Sequence, residues 1–298
     1  MNLRTAALPL SMIAVACSAP DSGAQQERAQ AGAAACSVVS AAAELPAEVR
    51  ETSGLARGGA GFWTHNDKGN DAVLFRIDER GQLAQTVALE GATLVDWEDI
   101  DAAPCGDGTC LFVGDIGDND AERSSLTVYR VPEPEAAARS ARPDGVVRLR
   151  YPDGARDAES LFVAPDGTLF VVTKGRREPI ALYRASNVRW QGETVALERV
   201  RELFPRPSAE DDRVTSATIS PDGRWVAVRS YADLYVYPFA ELVAGGRVTP
   251  ARYDISRVGE TQGEAVVLDD DGSVWLTSEA ETRNARPSWV RLSCELPG

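Results

Sequence analysis

One phrase occurs five times along this chain, and it limits the fold more than any other feature. ETSGLARGGAGFW, DWEDIDAAPCGDGTCLFV, DAESLFVAPDGTLFVV, VTSATISPDGRWVAV and GEAVVLDDDGSVWLT can be laid in register. Each begins with a small or acidic residue, alternates apolar residues, passes a glycine-containing turn and enters a second apolar run. The aligned first positions are Ser53, Glu98, Glu159, Ser216 and Glu264, so the spacings are 45, 61, 57 and 48 residues. A fixed repeat near this length marks stacked supersecondary units that bury their apolar faces only against one another.

The local chemistry makes each unit a four-stranded antiparallel sheet. Pro165-Asp166-Gly167, Pro221-Asp222-Gly223 and Asp270-Asp271-Gly272 are hairpin turns, with glycine accepting positive φ and aspartate bonding back to the backbone. AVLFRID, LTVYRVPE, IALYRAS and ADLYVYPF read as third strands, and LAQTVALE, VVRLRY, TVALERVREL and ARYDIS as fourth strands. No amphipathic helix stands out, apart from a turn near Pro134–Arg139. The last repeat is one strand short, and the N-terminal SVVSAAAEL is the segment that supplies it by pairing with SWVRLSCEL. The expected fold is all-β: a single propeller of five four-stranded blades, closed into a ring that removes two open sheet edges. Six blades stay open if the long stretch after repeat two or three holds a degenerate blade.

The ends and the cysteines set the compartment. MNLRTAALPLSMIAVAC has one arginine, a short apolar run and small residues before Cys17, which reads as a secretory signal. Ala14-Val15-Ala16-Cys17 matches a lipoprotein cleavage box with Cys17 lipidated, and a plain cut near Ala19 is the alternative. Lipid on Cys17 would place the protein at a membrane of the cell envelope, on a periplasmic or extracellular face. Residues 18–35 form a polar tether, and 36–298 the propeller. With Cys17 set aside, Cys36, Cys105, Cys110 and Cys294 remain, an even number in an oxidising compartment. Cys105 and Cys110 flank a GDGT turn and suit a local bridge; a Cys36–Cys294 bridge would clasp the ring; free thiols or a metal pair are the other readings. The single histidine makes a zinc site a poor fit. A formal charge of −14 repels phosphate backbones, so nucleic acid is not an expected partner. A monomer is expected.

In a propeller the starts of the first strands and the ends of the second converge on one mouth of the central channel. That places Glu98, Glu159 and Glu264 with His65, Asp67, Asp115, Asp118, Lys174, Arg229 and Glu279. Buried acids need partners. Asp67, Asp115 and Asp118 lie in Asx/Gly-rich loops that suit a hard cation such as Ca²⁺, or serve only as turns. Lys174 and Arg229 would hold an anionic ligand or pair with the glutamates. His65, in WTHND, is a candidate base or a structural residue. No Gly-x-Ser-x-Gly elbow and no glycine-rich phosphate loop occurs.

SGLA, WTHND, DWEDI, GDIGDN, DAESL, SPDGRWVAVR and GEAV together resemble a group of bacterial secreted β-propeller proteins, over residues 51 to about 280. They are more distantly similar to TolB-like propellers and to phytase-like propellers with esterase-like activity. For the phytase-like relatives the resemblance implies calcium held by oxygen ligands in the channel and attack by metal-activated water. Two functional expectations follow. One is a Ca²⁺-dependent hydrolase of an ester or phosphoester, with Glu98, Glu159, Glu264, Asp67, Asp115 and Asp118 as ligands, Glu98, Glu159 or His65 as catalytic group, and Lys174 and Arg229 holding a small anionic ligand. The other is a non-enzymatic scaffold that docks an envelope protein or glycan.

Overall fold

The computed structural model describes residues 35–280 and 286–297. The leader, Cys17 and all but the last residue of the tether lie outside them. The described chain is a five-bladed propeller. Blade 1 contains Thr52–Gly58, Gly61–Asn66, Val73–Ile77 and Leu83–Leu89; blade 2 contains Trp97–Cys105, Gly108–Asp115, Leu126–Pro132 and Gly145–Arg150. Blade 3 is Ala158–Val163, Leu169–Thr173, Ile180–Ala185 and Glu198–Phe204, and blade 4 is Val214–Ile219, Trp225–Ser230, Asp233–Pro238 and Ala251–Asp254. Blade 5 runs Gln262–Leu268, Ser273–Glu279 and Ser288–Cys294, and its outer strand is the N-terminal Cys36–Glu44.

The long stretches that left room for a sixth blade are used differently. Ser140–Ala141 adds a fifth, parallel strand to the outer edge of blade 1, and Gln191–Ala196 does the same for blade 2. TVALERVREL is therefore not one strand: its first residues leave blade 3 to cover blade 2, and only Glu198–Phe204 pairs within blade 3. Each addition satisfies an outer edge that would otherwise present unpaired backbone groups. A short helix, Phe239–Val243, also forms where none was expected, while Pro134–Arg139 holds the expected turn, with Ala138 N–H donating to the Glu135 carbonyl at 2.9 Å.

Burial follows position within the blade. Inner strands are buried on both faces, as in AESLFV, whereas outer strands such as GVVRLR alternate. The apolar core is a set of five wedges, one between each pair of neighbouring blades. The hairpin aspartates act as expected: Asp166, Asp222 and Asp271 accept the backbone N–H two residues on, at 2.9 Å each.

Both bridges form, Cys36–Cys294 and Cys105–Cys110. Cys36 stands directly opposite Cys294 in the strand pair that closes the ring, and the bridge spans 258 residues of sequence. Closing so long a loop restricts the unfolded chain strongly, so the Cys36→Ser/Cys294→Ser variant is expected to lose about 3–5 kcal/mol of unfolding free energy. Urea titration of the oxidised protein against the double variant measures it.

Candidate functional site

The mouth is built by one irregularity repeated five times. In every blade the pairing of first and second strands slips by one residue near the start of the first strand. The residues left unpaired are Ser53, Glu98, Glu159, Thr215 and Glu264. A bulge re-aims the side chain of its extra residue, so five polar side chains are presented in a ring. Sequence alignment set Ser216 in the fourth place; the register shows Thr215 there instead. Ser216 turns inward, and its hydroxyl lies 3.3 Å from Asp99 Oδ2.

The acids of DWEDID divide between two tasks. Asp99 and Asp101 are scaffolding. Asp99 Oδ2 accepts the N–H of Leu161 at 3.0 Å, and Asp101 Oδ2 that of Val163 at 2.6 Å. Both N–H groups lie on the channel edge of the blade 3 inner strand, where no further strand pairs with them. Blade 2 is thus fastened to blade 3 by two carboxylates. Burial pushes Asp101 up to about 7 and Asp99 well above the usual carboxylate range, against these hydrogen bonds.

Asp96 and Glu98 face the mouth. Single carboxylate oxygens of Asp67, Asp96 and Glu98 lie within 4.8 Å of one another. Glu98 accepts a hydrogen bond from Ser53 Oγ at 3.3 Å, and Lys68 Nζ sits 3.1 Å from Asp96 Oδ1. A Cβ at Gly117 would overlap both the Asp96 and Glu98 carboxyl groups, so this backbone is the wall against which the two acids rest. Burial, reinforced by Glu159, Asp67 and Asp96, holds Glu98 well above its ordinary value. Burial also raises Asp67, and Glu264 well above the usual range, where Glu159 and Glu279 add to it. Glu279 is pushed up to about 7 by burial and then by Asp67 and Glu51.

The chain supplies one buried cation of its own to this ring. Lys174 Nζ is hydrogen-bonded to Glu159, with both side chains almost wholly buried. Burial alone would lower the ammonium, but Glu159, with Tyr231, Glu264 and Glu98, outweighs it and raises its pKa. Glu159 is raised to about 7 by burial in spite of the ammonium. Of the two sequence readings for Lys174, pairing with a glutamate is the one realised.

The other candidates take different places. Arg229 is fully buried, clamped by Glu260 at 2.9 and 3.1 Å and by the Ala265 carbonyl at 3.0 Å. Its fork is committed to the protein. Asp115 accepts the N–H groups of Asp96 and Val95 and pairs with Arg123; Asp118 accepts those of Glu122 and Arg123. Asp118 thus takes the turn role that is the alternative to ligation, Asp115 instead ties the end of the second strand to the entry of the first, and the carboxylate cluster is formed by Asp67, Asp96 and Glu98. His65 is wholly buried and edge-on to Trp97, with ring centroids 5.5 Å apart. Burial pushes its imidazole down to about 4.

Sequence reading passed over Lys68, Tyr231 and Thr215, and did not select Asp96 as a ligand although it stands in the most repeated phrase. Asp67-Lys68 beside the DWED acids was the available signal. Thr215 had none, because a bulge is a property of register.

No family model matches the chain, and no curated protein matches it. Its backbone is similar to the PQQ-bound aldose sugar dehydrogenase of Streptomyces coelicolor, at 10% identity, a TM-score of 0.52, and coverage of 88% of this chain and 98% of that one. It is also similar to the major Malassezia sympodialis allergen Mala s 1, at 9% identity, a TM-score of 0.56, and coverage of 85% and 96%. Likeness at this identity is a statement about the fold alone.

Proposed function

We propose that this chain is an extracytoplasmic, lipid-anchored propeller whose acidic mouth binds a divalent cation, Ca²⁺ foremost, and hydrolyses an ester or phosphoester. The observation that carries the reading is the convergence of Asp67, Asp96 and Glu98. The donors are all hard oxygens, which suit Ca²⁺ and suit soft metals poorly. Carboxylates this close and this buried ionise together only against a compensating positive charge. Lys68, half-exposed on Asp96, is the competitor that a cation displaces. The two disulfides support an oxidising compartment, and the likeness to phytase-like propellers supports the reaction class. The quinone of the aldose sugar dehydrogenase is not carried over, since that likeness concerns the fold alone.

Asp67, Asp96 and Glu98 would hold the cation. Bound there, it supplies Lewis acidity toward an ester oxygen and a lowered pKa for water. Glu159, raised to about 7, is matched to accepting a proton near neutral pH, and Lys174 orients its carboxylate. His65, neutral and buried, and Arg229, committed to Glu260, have no part in this scheme.

The test is metal content and thermal stability of residues 33–298 purified from periplasm, with and without EGTA. The expected result is near-stoichiometric Ca²⁺, with removal costing about 2–3 kcal/mol relative to a hundredfold excess over Kd. Glu98→Gln should abolish both signals, and Lys68→Gln should tighten binding several-fold by removing the competing ammonium. Turnover of an ester and phosphoester panel should fall in Glu98→Gln and Glu159→Gln; unchanged turnover in both sinks the hydrolase. No metal and no EGTA effect would mean that Lys68 and Lys174 neutralise the mouth. The docking scaffold for an envelope protein or glycan then leads.

A further inference from the structure

We infer that a second pocket, beside the acidic mouth and on the same face, binds the carboxylate end of a small singly charged organic anion. A cavity of about 60 Å³ lies between blades 2 and 3, lined by Arg156, Arg176, Arg177, Ala121 and Ala155 among others. At about 10–15 Å³ per water-sized centre, that is room for about four to six heavy atoms, a carboxylate with a short apolar substituent.

The three guanidinium groups are not equally committed. Arg156 is clamped on Asp153, with Nη2–Oδ2 at 2.8 Å and Nε–Oδ1 at 3.4 Å. Arg176 is held through Nε alone, 3.0 Å from Asp157 Oδ2. Asp157 is itself fixed by the Asp118 N–H at 2.9 Å. The two Nη groups of Arg176 make no hydrogen bond among the described residues. Arg177 has one contact, 3.5 Å to Asp120, between two exposed side chains. A guanidinium fork offers five N–H donors, so Arg176 and Arg177 have donors to spend on a ligand.

Charge and shape choose the ligand class. Each arginine already has a carboxylate partner, Asp153 for Arg156, Asp157 for Arg176 and Asp120 for Arg177, so the pocket offers a ligand unspent N–H donors and no net positive charge. Such donors suit a single negative charge, whereas a phosphoryl dianion would be under-compensated beside Glu159 and Glu264. A planar carboxylate also matches the bidentate fork, and the methyl groups of Ala121 and Ala155 suit a short alkyl chain. The wall is deliberately built. Ala121 holds φ +55, uncommon for a residue with a Cβ. The Asp118 carboxylate keeps the turn in place by accepting the N–H groups of Glu122 and Arg123, at 2.9 Å each.

The pocket deepens the reading of the mouth as a ligand site, by naming the end of the ligand that the cation does not hold. Asp157 and Arg176 each stand two residues from Glu159 and Lys174, so pocket and mouth are about 7 Å apart along the chain. Lys174 and Arg229, the expected anion holders, are spent internally, and Arg176 and Arg177 take that role.

The experiment is ligand-observed NMR with propionate as probe and propionamide as the uncharged control. It is run in EGTA, so that the outcome does not depend on a cation. The wild-type domain should bind propionate saturably and propionamide not at all. Arg177→Gln should weaken propionate binding about tenfold, and Arg176→Gln/Arg177→Gln should remove it with the melting temperature within a few degrees of wild type. No saturable propionate binding by the wild type overturns the inference. So does tighter binding of orthophosphate than of propionate, or wild-type binding by Arg177→Gln. Propionate binding without calcium binding would leave this pocket standing and remove the cation site; calcium binding without propionate binding would do the reverse.

Discussion

Lys174→Met is expected to destabilise the propeller by about 3–5 kcal/mol at pH 8, the usual cost of removing one partner of a buried ion pair. The lost ammonium leaves Glu159 buried beside Glu98 and Glu264, and the remaining positive charge of its own blade that reaches it, Arg176, is already paired with Asp157. The sign of the pH dependence follows from the carboxyl. Its folded pKa is raised above the unfolded value, and removing Lys174 raises it further. The folded state therefore binds more protons than the unfolded state, and stability falls as pH rises from about 4.5 through the folded pKa. Below pH about 4.5 both states are protonated, and only the packing loss should remain. Glu159→Gln placed on Lys174→Met should recover most of the stability at pH 8, because an amide tolerates burial that a lone carboxylate does not. Urea titrations of wild type, single and double variants at pH 5 and pH 8 measure all three. A loss that is the same at both pH values would mean that the ammonium contributes packing and no charge.

Arg229→Leu is expected to cost a similar 3–5 kcal/mol, with no change in cation or ligand affinity of the folded protein. The guanidinium is entirely buried between the second strand of blade 4 and the entry to blade 5, and its removal leaves Glu260, 7% exposed, without its partner. Gly263 tests the same joint from the other side. A Cβ there would overlap Arg229 Nη2 and crowd Glu260 Oε2. Arg229 has nowhere to retreat, so Gly263→Ala should unfold at a lower urea concentration even though alanine suits the backbone. Thermal unfolding together with calcium titration separates the outcomes: lost stability with unchanged affinity assigns Arg229 to the joint, and lost affinity at unchanged stability would return it to the ligand site.

How the site was legible varies residue by residue. Glu98, Glu159 and Glu264 could be found because they recur at the same place in a repeated phrase, and repetition around a ring means convergence on its axis. The Asx-rich loop holding Asp115 and Asp118 carries the composition of a cation loop, yet Asp118 accepts backbone N–H groups of its own turn and Asp115 those of Val95 and Asp96 at the entry to the blade. Composition cannot separate these outcomes, since the same short carboxylates serve both. His65 looked exposed to chemistry by its neighbours Asn66 and Asp67, but strand alternation sends its ring under Trp97.

The amino-acid sequence by itself determined the propeller, a count of five blades with six still open, the closure of the ring by the N-terminal strand, the cysteine pairs that could bridge and the face on which the acids gather. All of these follow from period, turn chemistry and cysteine spacing, which are local properties repeated along the chain. Tertiary structure alone decided which acid has which partner. Lys174 answers Glu159, Glu260 answers Arg229, Asp99 and Asp101 fasten blade 2 to blade 3, and Asp67, Asp96 and Glu98 stand together. These pairings cross from blade to blade or turn on a one-residue bulge. A single slip of register changes the direction of a side chain, and nothing in the order of residues records it.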